Sequence, residues 1–245
     1  MTDNYSLLKD FAKSLGASLF GVCDFGKVEK GDFLLSEEML ASFPFAISIG
    51  VRLSPAVLAE IKDHPTKLYF HHYKVVNYLL DTIALRITNF ILNKGKNALP
   101  LPASQTIDWE RQKGHLSHKR VAVAAGLGWL GRNNLLVTPE YGAQVRLTTI
   151  LTDFPLVISQ VPAEGRRAVG GLESEPRVLN FNCGDCYACL ASCPVGAIKE
   201  RQEDFDYLKC FSLLKEFQKR YVSQYICGLC VSACKGNKNA TSDAI

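Results

Sequence analysis

The stretch "CGDCYACLASCPVGAI", residues 183–198, carries four cysteines at a C-x2-C-x2-C-x3-C-P spacing. Thiolates are soft anionic ligands that suit iron–sulfur clusters. Cys183, Cys186 and Cys189 recur every three residues, which lets one loop wrap a cubane and present three sulfurs to it. Cys193 follows, with Pro194 behind it. In runs of this kind the fourth cysteine ligates the other cluster of a two-cluster module. A second set is then required. "CGLCVSAC" supplies Cys227, Cys230 and Cys234, and Cys210 lies upstream. The assignment is one [4Fe–4S] cluster on Cys183, Cys186, Cys189 and Cys234, and one on Cys193, Cys210, Cys227 and Cys230. The competing reading is a pair of structural zinc sites, which sets of four cysteines also make.

The rest of the chain bounds what surrounds these cysteines. It has 245 residues, 47% of them hydrophobic, enough for one sizeable core or a core plus a small module. Eight of the nine cysteines lie after residue 182. A compact Cys-rich module behind a Cys-poor domain points to metal in a reducing compartment rather than to disulfides. Cys23, the early one, reads as a buried small hydrophobe. The net charge of +4 comes without a long basic block, so a strong nucleic-acid footprint is not expected. "MTDNYSLLKDFAKSLG" lacks the basic start and apolar run of a secretory signal. The apolar run "FPFAISIGV" is too short to span a membrane. The expectation is a soluble, cytoplasmic protein with no membrane partner.

Periodicity predicts an α/β (α+β) domain over residues 1–158, a linker over 159–180 and a double-cluster module over 181–245. Leu7, Leu8, Phe11, Ala12 and Leu15 make a helical stripe ended by Gly16. "SLFGVCD" and "FAISIGV" read as strands, and Ser54-Pro55 as a helix start. A long helix follows, with Val75, Val76, Leu79, Leu80, Ile83, Ile87, Phe90 and Ile91 on one face and Gly95 to end it. "NALPLP" reads as an extended edge, 103–116 as a polar loop, 117–125 as a short helix, and "NNLLVT" and "AQVRLTTIL" as strands around the turn "PEYG". Two nearby clusters form an electron wire, and a wire beside a large α/β domain implies an acceptor in that domain.

"AAGLGWLGRNN" contains Gly126-x-Gly128-x-x-Gly131, the dinucleotide fingerprint. That fingerprint needs a strand before it and a helix after it. Here a helical stretch precedes and a strand-like one follows, so a nicotinamide turn is set aside. Two readings stay open for the glycines. One is a tight turn around a core Trp129; the other is a loop against a flat cofactor, with Arg132, Asn133 and Asn134 as hydrogen-bonding groups.

"AGLGWLGRNNLLVTPEYGAQVRLTTILTDFPL" followed by "CGDCYACLASCPVGAI" and the later cysteine run resembles the epoxyqueuosine reductase family over most of the chain, residues 5–236. The resemblance implies a nitroreductase-like corrinoid-binding domain fused to a two-[4Fe–4S] ferredoxin-like module. It implies two cofactors, the clusters and base-off cobalamin, with electrons passing from the clusters to cobalt; reductive dehalogenases share this plan. It places Gly126, Gly128, Trp129, Gly131 and Asn133 at the cofactor wall, and the eight cysteines on the clusters as assigned above. It also implies an external electron donor of ferredoxin or flavodoxin type and a small-molecule or modified-nucleoside substrate.

The chain departs from the family at three places. The family's catalytic Asp-Ser/Thr-x-Pro stretch reads here "LPLPASQTIDWERQKGHLSHK", with Asp108 the candidate for that acid's place. An Asp-Tyr-His stretch appears as His71-His72-Tyr73. The helical-repeat domain that helps longer members hold tRNA is expected to be missing, which points away from tRNA as substrate. C–O cleavage needs a proton donor. The polar loop offers Asp108, His115 and His118 as catalytic candidates, with Glu110, Ser104 and Gln105 near them. The alternative function is an electron-transfer or corrinoid-reactivating protein without a substrate of its own.

Overall fold

The computed structural model describes residues 3–31, 33–159 and 182–236. The linker expected over 159–180 falls, apart from Ser159, outside them. The chain divides into two compact units that are not consecutive in sequence. One comprises Met1–Val51, Asn77–Leu127 and Arg146–Asn180, the other Arg52–Val76, Gly128–Val145 and Phe181–Ile245. The sequence places all of 1–158 in one domain. The structure instead groups residues 52–76 and 128–145 with the cysteine-rich stretch, because each packs there through its own contacts, given below.

The first unit is built on a four-stranded sheet. Its strands are β1 (Leu19–Asp24), β2 (Phe45–Arg52), β3 (Ala98–Leu101) and β6 (Val145–Thr152), in the order β1-β2-β6-β3. β1 and β2 are antiparallel with Leu19 opposite Gly50. β3 and β6 are antiparallel with Ala98 opposite Thr152. The central strand β2 is apolar but for Ser48 because it is buried over six consecutive residues. Pro100 sits on the edge strand β3, where a missing N–H costs the sheet no ladder bond. On the other edge, Ser159 donates its N–H to the Val22 carbonyl and accepts the Val22 N–H at Oγ, so part of β1 is not left open.

Helix α1 (Asn4–Ser14) begins at Asp3, whose carboxylate accepts the Ser6 N–H. It ends before Gly16 at φ +105°. The short α2 (Glu37–Ala41) starts in the same way at Ser36, whose hydroxyl accepts the Met39 N–H. α1 and α5 (His118–Ala124) both pack on β1. Cys23, Phe25, Ala46, Leu101, Val121 and Leu151 join one buried cluster. Burial pushes the Cys23 thiol up to about 12, which suits the inert hydrophobe the sequence suggests.

The longest helix, α4, runs from Lys67 to Leu92. Among the described residues it is the one helix long and apolar enough to cross a membrane, a possibility the shorter apolar run did not raise. Its stripe of Leu80, Ile83, Ile87 and Ile91 is fully buried, as in a core helix. Near its start, His72 Nε2 accepts the Ser54 N–H ahead of α3 (Pro55–Ala59), at 2.9 Å. Burial, helped by His71, lowers the His72 pKa, which keeps that nitrogen free to accept. Ser54 holds the N-cap position without a side-chain cap bond, so this helix start rests on backbone and Pro55 alone. Tyr73 is core.

Candidate metal centre

The second unit carries the cysteines on short elements. Cys183 and Cys186 lie on a turn where the Cys186 N–H reaches the Cys183 carbonyl at 3.0 Å. Cys189 lies on α6 (Ala188–Ala191), and Cys210 in the first turn of α7 (Tyr207–Arg220), which Asp206 caps through the Lys209 N–H. Cys230 lies on α8 (Leu229–Ala233), with Cys227 before it and Cys234 at its end. All eight are free thiols.

Electrostatics sorts them. Burial raises Cys189 to about 11, and its charged neighbours are Cys234, Cys183 and Cys186. Burial likewise raises Cys227 to about 11, and its neighbours are Cys210 and Cys193. Cys230 is pushed well up by burial, then by Cys227, Cys210, Cys189 and Cys193. Cys183, Cys186, Cys189 and Cys234 line one cavity, and Cys193, Cys210 and Cys227 neighbour one another in a second group, with Cys230 beside both Cys227 and Cys189. Cys189 and Cys230 are neighbours across the two groups.

The first group lines a cavity of about 360 Å3, together with Trp129, Arg132 and Asn133. Among the described residues no three His, Cys, Asp or Glu side chains converge on the point a single metal ion would occupy. Four cysteines around one cavity supply the soft thiolate set that an iron–sulfur cluster would need.

A two-stranded ribbon supplies the wall. β4 (Trp129–Leu130) pairs with β5 (Leu136–Val137), Trp129 opposite Val137. A two-residue strand is too short to show periodicity, so sequence reading missed β4. Helix, glycines and strand follow in the order that separates this segment from a dinucleotide fingerprint. Gly128 has φ +156°, and a Cβ there would lie 2.0 Å from the Val137 carbonyl oxygen. Trp129 is buried, and its indole N–H donates to Cys183 Sγ at 3.4 Å. The Ala143 N–H donates to Cys234 Sγ at 3.3 Å. The turn around a core Trp129 is what the structure has, and that tryptophan also touches a cysteine sulfur. Of the residues the resemblance places at the cofactor wall, Trp129 and Asn133 line the cysteine cavity, Gly131 lies beside Cys183, Gly128 backs onto Val137, and Gly126 belongs to the other unit.

Arg132 was open as a cofactor donor; instead it holds the first cysteine turn. Its guanidinium donates to the carbonyls of Gly184 and Cys186, at 2.8 and 3.0 Å, and to that of Glu200. It also lies over the Tyr187 ring, 4.4 Å from the centroid. Arg132→Ala is expected to cost about 2–4 kcal/mol, since charged hydrogen bonds contribute roughly 1.5–3 kcal/mol each and these are partly solvated. Urea unfolding of the metal-free protein measures it, and a change within error of zero removes this role. Lysine cannot reproduce the fork.

The first unit holds a separate polar cavity of about 190 Å3, lined by Ser104, Gln105, Thr106, Gln112, His115 and His118 among others. His115 and His118 come together here. Asp108 does not line it: its carboxylate accepts the N–H groups of Glu110 and Arg111 within a turn. His118 Nε2 faces the Pro102 carbonyl at 2.9 Å and Nδ1 faces Thr149 Oγ1 at 2.8 Å. A carbonyl only accepts, so the proton sits on Nε2 and Thr149 donates to Nδ1. Burial lowers the His118 pKa to about 4, partly opposed by the Pro102 bond. A neutral, doubly bonded imidazole at pH 7 is a poor acid and reads as an anchor of this wall.

The sign of its effect on stability follows. The folded form resists protonation below pH 6.5, where an unfolded histidine takes a proton. This contribution is complete above about pH 6.5 and is lost as pH falls toward 4, by roughly 3 kcal/mol at 1.36 kcal/mol per pKa unit. His118→Asn is expected to flatten the stability profile in that window. A profile parallel to wild type would assign the loss to other groups.

No protein-family model matches the chain. Epoxyqueuosine reductase of Bacillus subtilis (strain 168) is 31% identical over 135 residues, 51% of this chain and 30% of that protein. That of Bacillus anthracis is 30% identical over 134 residues, again 51% and 30%. That of Escherichia coli (strain K12) is 35% identical over 94 residues, 38% of this chain and 20% of that protein. The match spans less than a third of each of these relatives. A selenomethionine-labelled epoxyqueuosine reductase structure superposes with TM-score 0.56 and 21% identity, over 96% of this chain and 65% of that one. The catabolic reductive dehalogenase NpRdhA superposes with TM-score 0.69 and 16% identity, over 96% and 32%. These structures share the mixed α/β fold.

Proposed function

We propose that this chain, whose sequence is similar to the epoxyqueuosine reductases, is an oxidoreductase with two [4Fe–4S] clusters. In this reading a nitroreductase-like domain is joined to a two-cluster ferredoxin-like module. The observation that carries it is the cavity lined by Cys183, Cys186, Cys189 and Cys234, with Cys193 a neighbour of Cys210 and Cys227 instead. Cys183, Cys186, Cys189 and Cys234 would hold one cluster, and Cys193, Cys210, Cys227 and Cys230 the other. The clusters supply one-electron steps. The proximity of Cys189 and Cys230 supports passage of an electron from one to the other, fed by an external ferredoxin- or flavodoxin-type donor.

Cobalamin enters this reading through relatives alone. One superposing structure is that of a reductive dehalogenase that suggests a mechanism for B12-dependent dehalogenation. No residue of the two cavities is assigned to the corrinoid. The substrate class is a modified nucleoside or a small molecule. A modified nucleoside is favoured by the superposition of an epoxyqueuosine reductase bound to a modified tRNA stem loop, at TM-score 0.56 and 20% identity. His115, beside Ser104 and Gln105 in the polar cavity, is the imidazole this reading offers as proton donor.

Anaerobic purification with iron, sulfide, zinc and cobalt analysis tests the proposal, together with a visible spectrum after cobalamin is added. Iron and sulfide for two clusters and a base-off corrinoid spectrum are the expected results. Iron without corrinoid binding would leave an electron-transfer protein, and a colourless zinc protein would end the reading.

A further inference from the structure

We infer that the Asn133 side-chain amide donates a hydrogen bond to the cluster on Cys183, Cys186, Cys189 and Cys234 and raises its reduction potential. This rests on the reading of those four cysteines as one cluster's ligands.

Asn133 lines their cavity and is 3% exposed. Its Oδ1 accepts the Leu135 N–H at 3.3 Å. That bond fixes the amide's orientation, because turning it over would set two donors against each other. Nδ2 is then left buried with no hydrogen-bond partner. An unmet buried donor costs about 1–3 kcal/mol, so its persistence asks for a partner in the cavity.

A purely local role does not account for the amide. Bracing the turn toward Leu135 needs only an acceptor, which aspartate provides equally well. What distinguishes asparagine is the donor, and a carboxylate in its place would face anionic sulfur. The space is kept open too. A Cβ on Gly131 would lie 2.9 Å from Asn133 Oδ1 and 3.6 Å from Cys183 Sγ. Trp129 Nε1 and the Ala143 N–H already donate to Cys183 and Cys234. Asn133 adds a third donor to the same group. N–H···S bonds stabilise the more negative reduced cluster, so they raise its potential.

The test uses the fully loaded protein, with iron content and a potentiometric titration followed by electron paramagnetic resonance. Asn133→Leu keeps the approximate size and removes the donor. Asn133→Asp keeps the acceptor for Leu135 and removes the donor; because its added negative charge lowers the midpoint by itself, loss of the exchangeable-proton hyperfine coupling is the readout that decides if the leucine variant does not fold. Each is expected to lower one cluster's midpoint and leave the other in place, with iron unchanged. The expected size is about tenfold in the reduction equilibrium, which is about 59 mV for a one-electron couple. A hyperfine coupling to a deuterium-exchangeable proton is expected to weaken with it. Unchanged midpoints at full iron content, or equal shifts of both clusters, overturn the inference. A wild-type protein that takes up no pair of clusters overturns the underlying reading first, and iron analysis alone separates that failure from this one.

Discussion

Replacing Cys234 by serine is expected to halve the bound iron and to remove the same spectroscopic signal that Cys189→Ser removes. The two residues are far apart in sequence, but Cys234 is the charged neighbour that acts most strongly on Cys189. A cubane held by four thiolates loses most of its affinity with one, because the binding free energy is shared by the set. The double variant Cys189→Ser/Cys234→Ser should then be no worse than either single change. Cys189→Ser/Cys193→Ser should lose all the iron, although these residues lie four apart, since Cys193 sits with Cys210, Cys227 and Cys230. Effects that act as a unit are non-additive within a set and additive across sets. The reverse pattern, with Cys189 and Cys193 behaving as one set, would falsify the crossed assignment.

Gly128→Ala is expected to destabilise the protein by about 3 kcal/mol or more and to reduce cluster retention. Two costs combine. The backbone at φ +156° is one that an L side chain rarely adopts. The added Cβ would also meet backbone on the facing strand, 2.0 Å from the Val137 carbonyl oxygen and 3.1 Å from Thr138 Cα. A flexible side chain could swing away from such a clash, whereas paired backbone can yield only if β4 and β5 separate. Trp129 would move with β4 and lose its bond to Cys183. Urea unfolding with iron analysis measures both parts. A variant within about 0.5 kcal/mol of wild type, the usual range for neutral surface changes, would show that the ribbon accommodates the methyl group.

The sequence by itself supplied the cluster reading proposed for this chain. Cysteine spacing and the Cys193-Pro194 pair speak for clusters without reference to any fold, because a cluster-binding loop is local. It also determined the long elements. The run "FAISIGV" is β2 because a central strand is apolar on both faces, and the stripe from Leu80 to Ile91 is buried in α4 because a core helix needs one.

Tertiary structure decided what depends on residues meeting across long separations. Nothing local marks residues 52–76 and 128–145 as partners of the cysteine stretch. Their grouping comes from single contacts such as the Ser232 hydroxyl on the Leu58 carbonyl and Gln144 on the Ser232 carbonyl. Arg132 looked like a free donor because a charge in a glycine loop has no sequence signature for the carbonyls it will meet. His118 looked like an acid for the same reason: a histidine's pKa is set by burial and by the groups on both ring nitrogens. Asn133 shows the limit most plainly. The sequence could offer it as a hydrogen-bonding residue, but only the packed structure leaves one end of its amide bound, the other end unmet, and four cysteines around the cavity it faces.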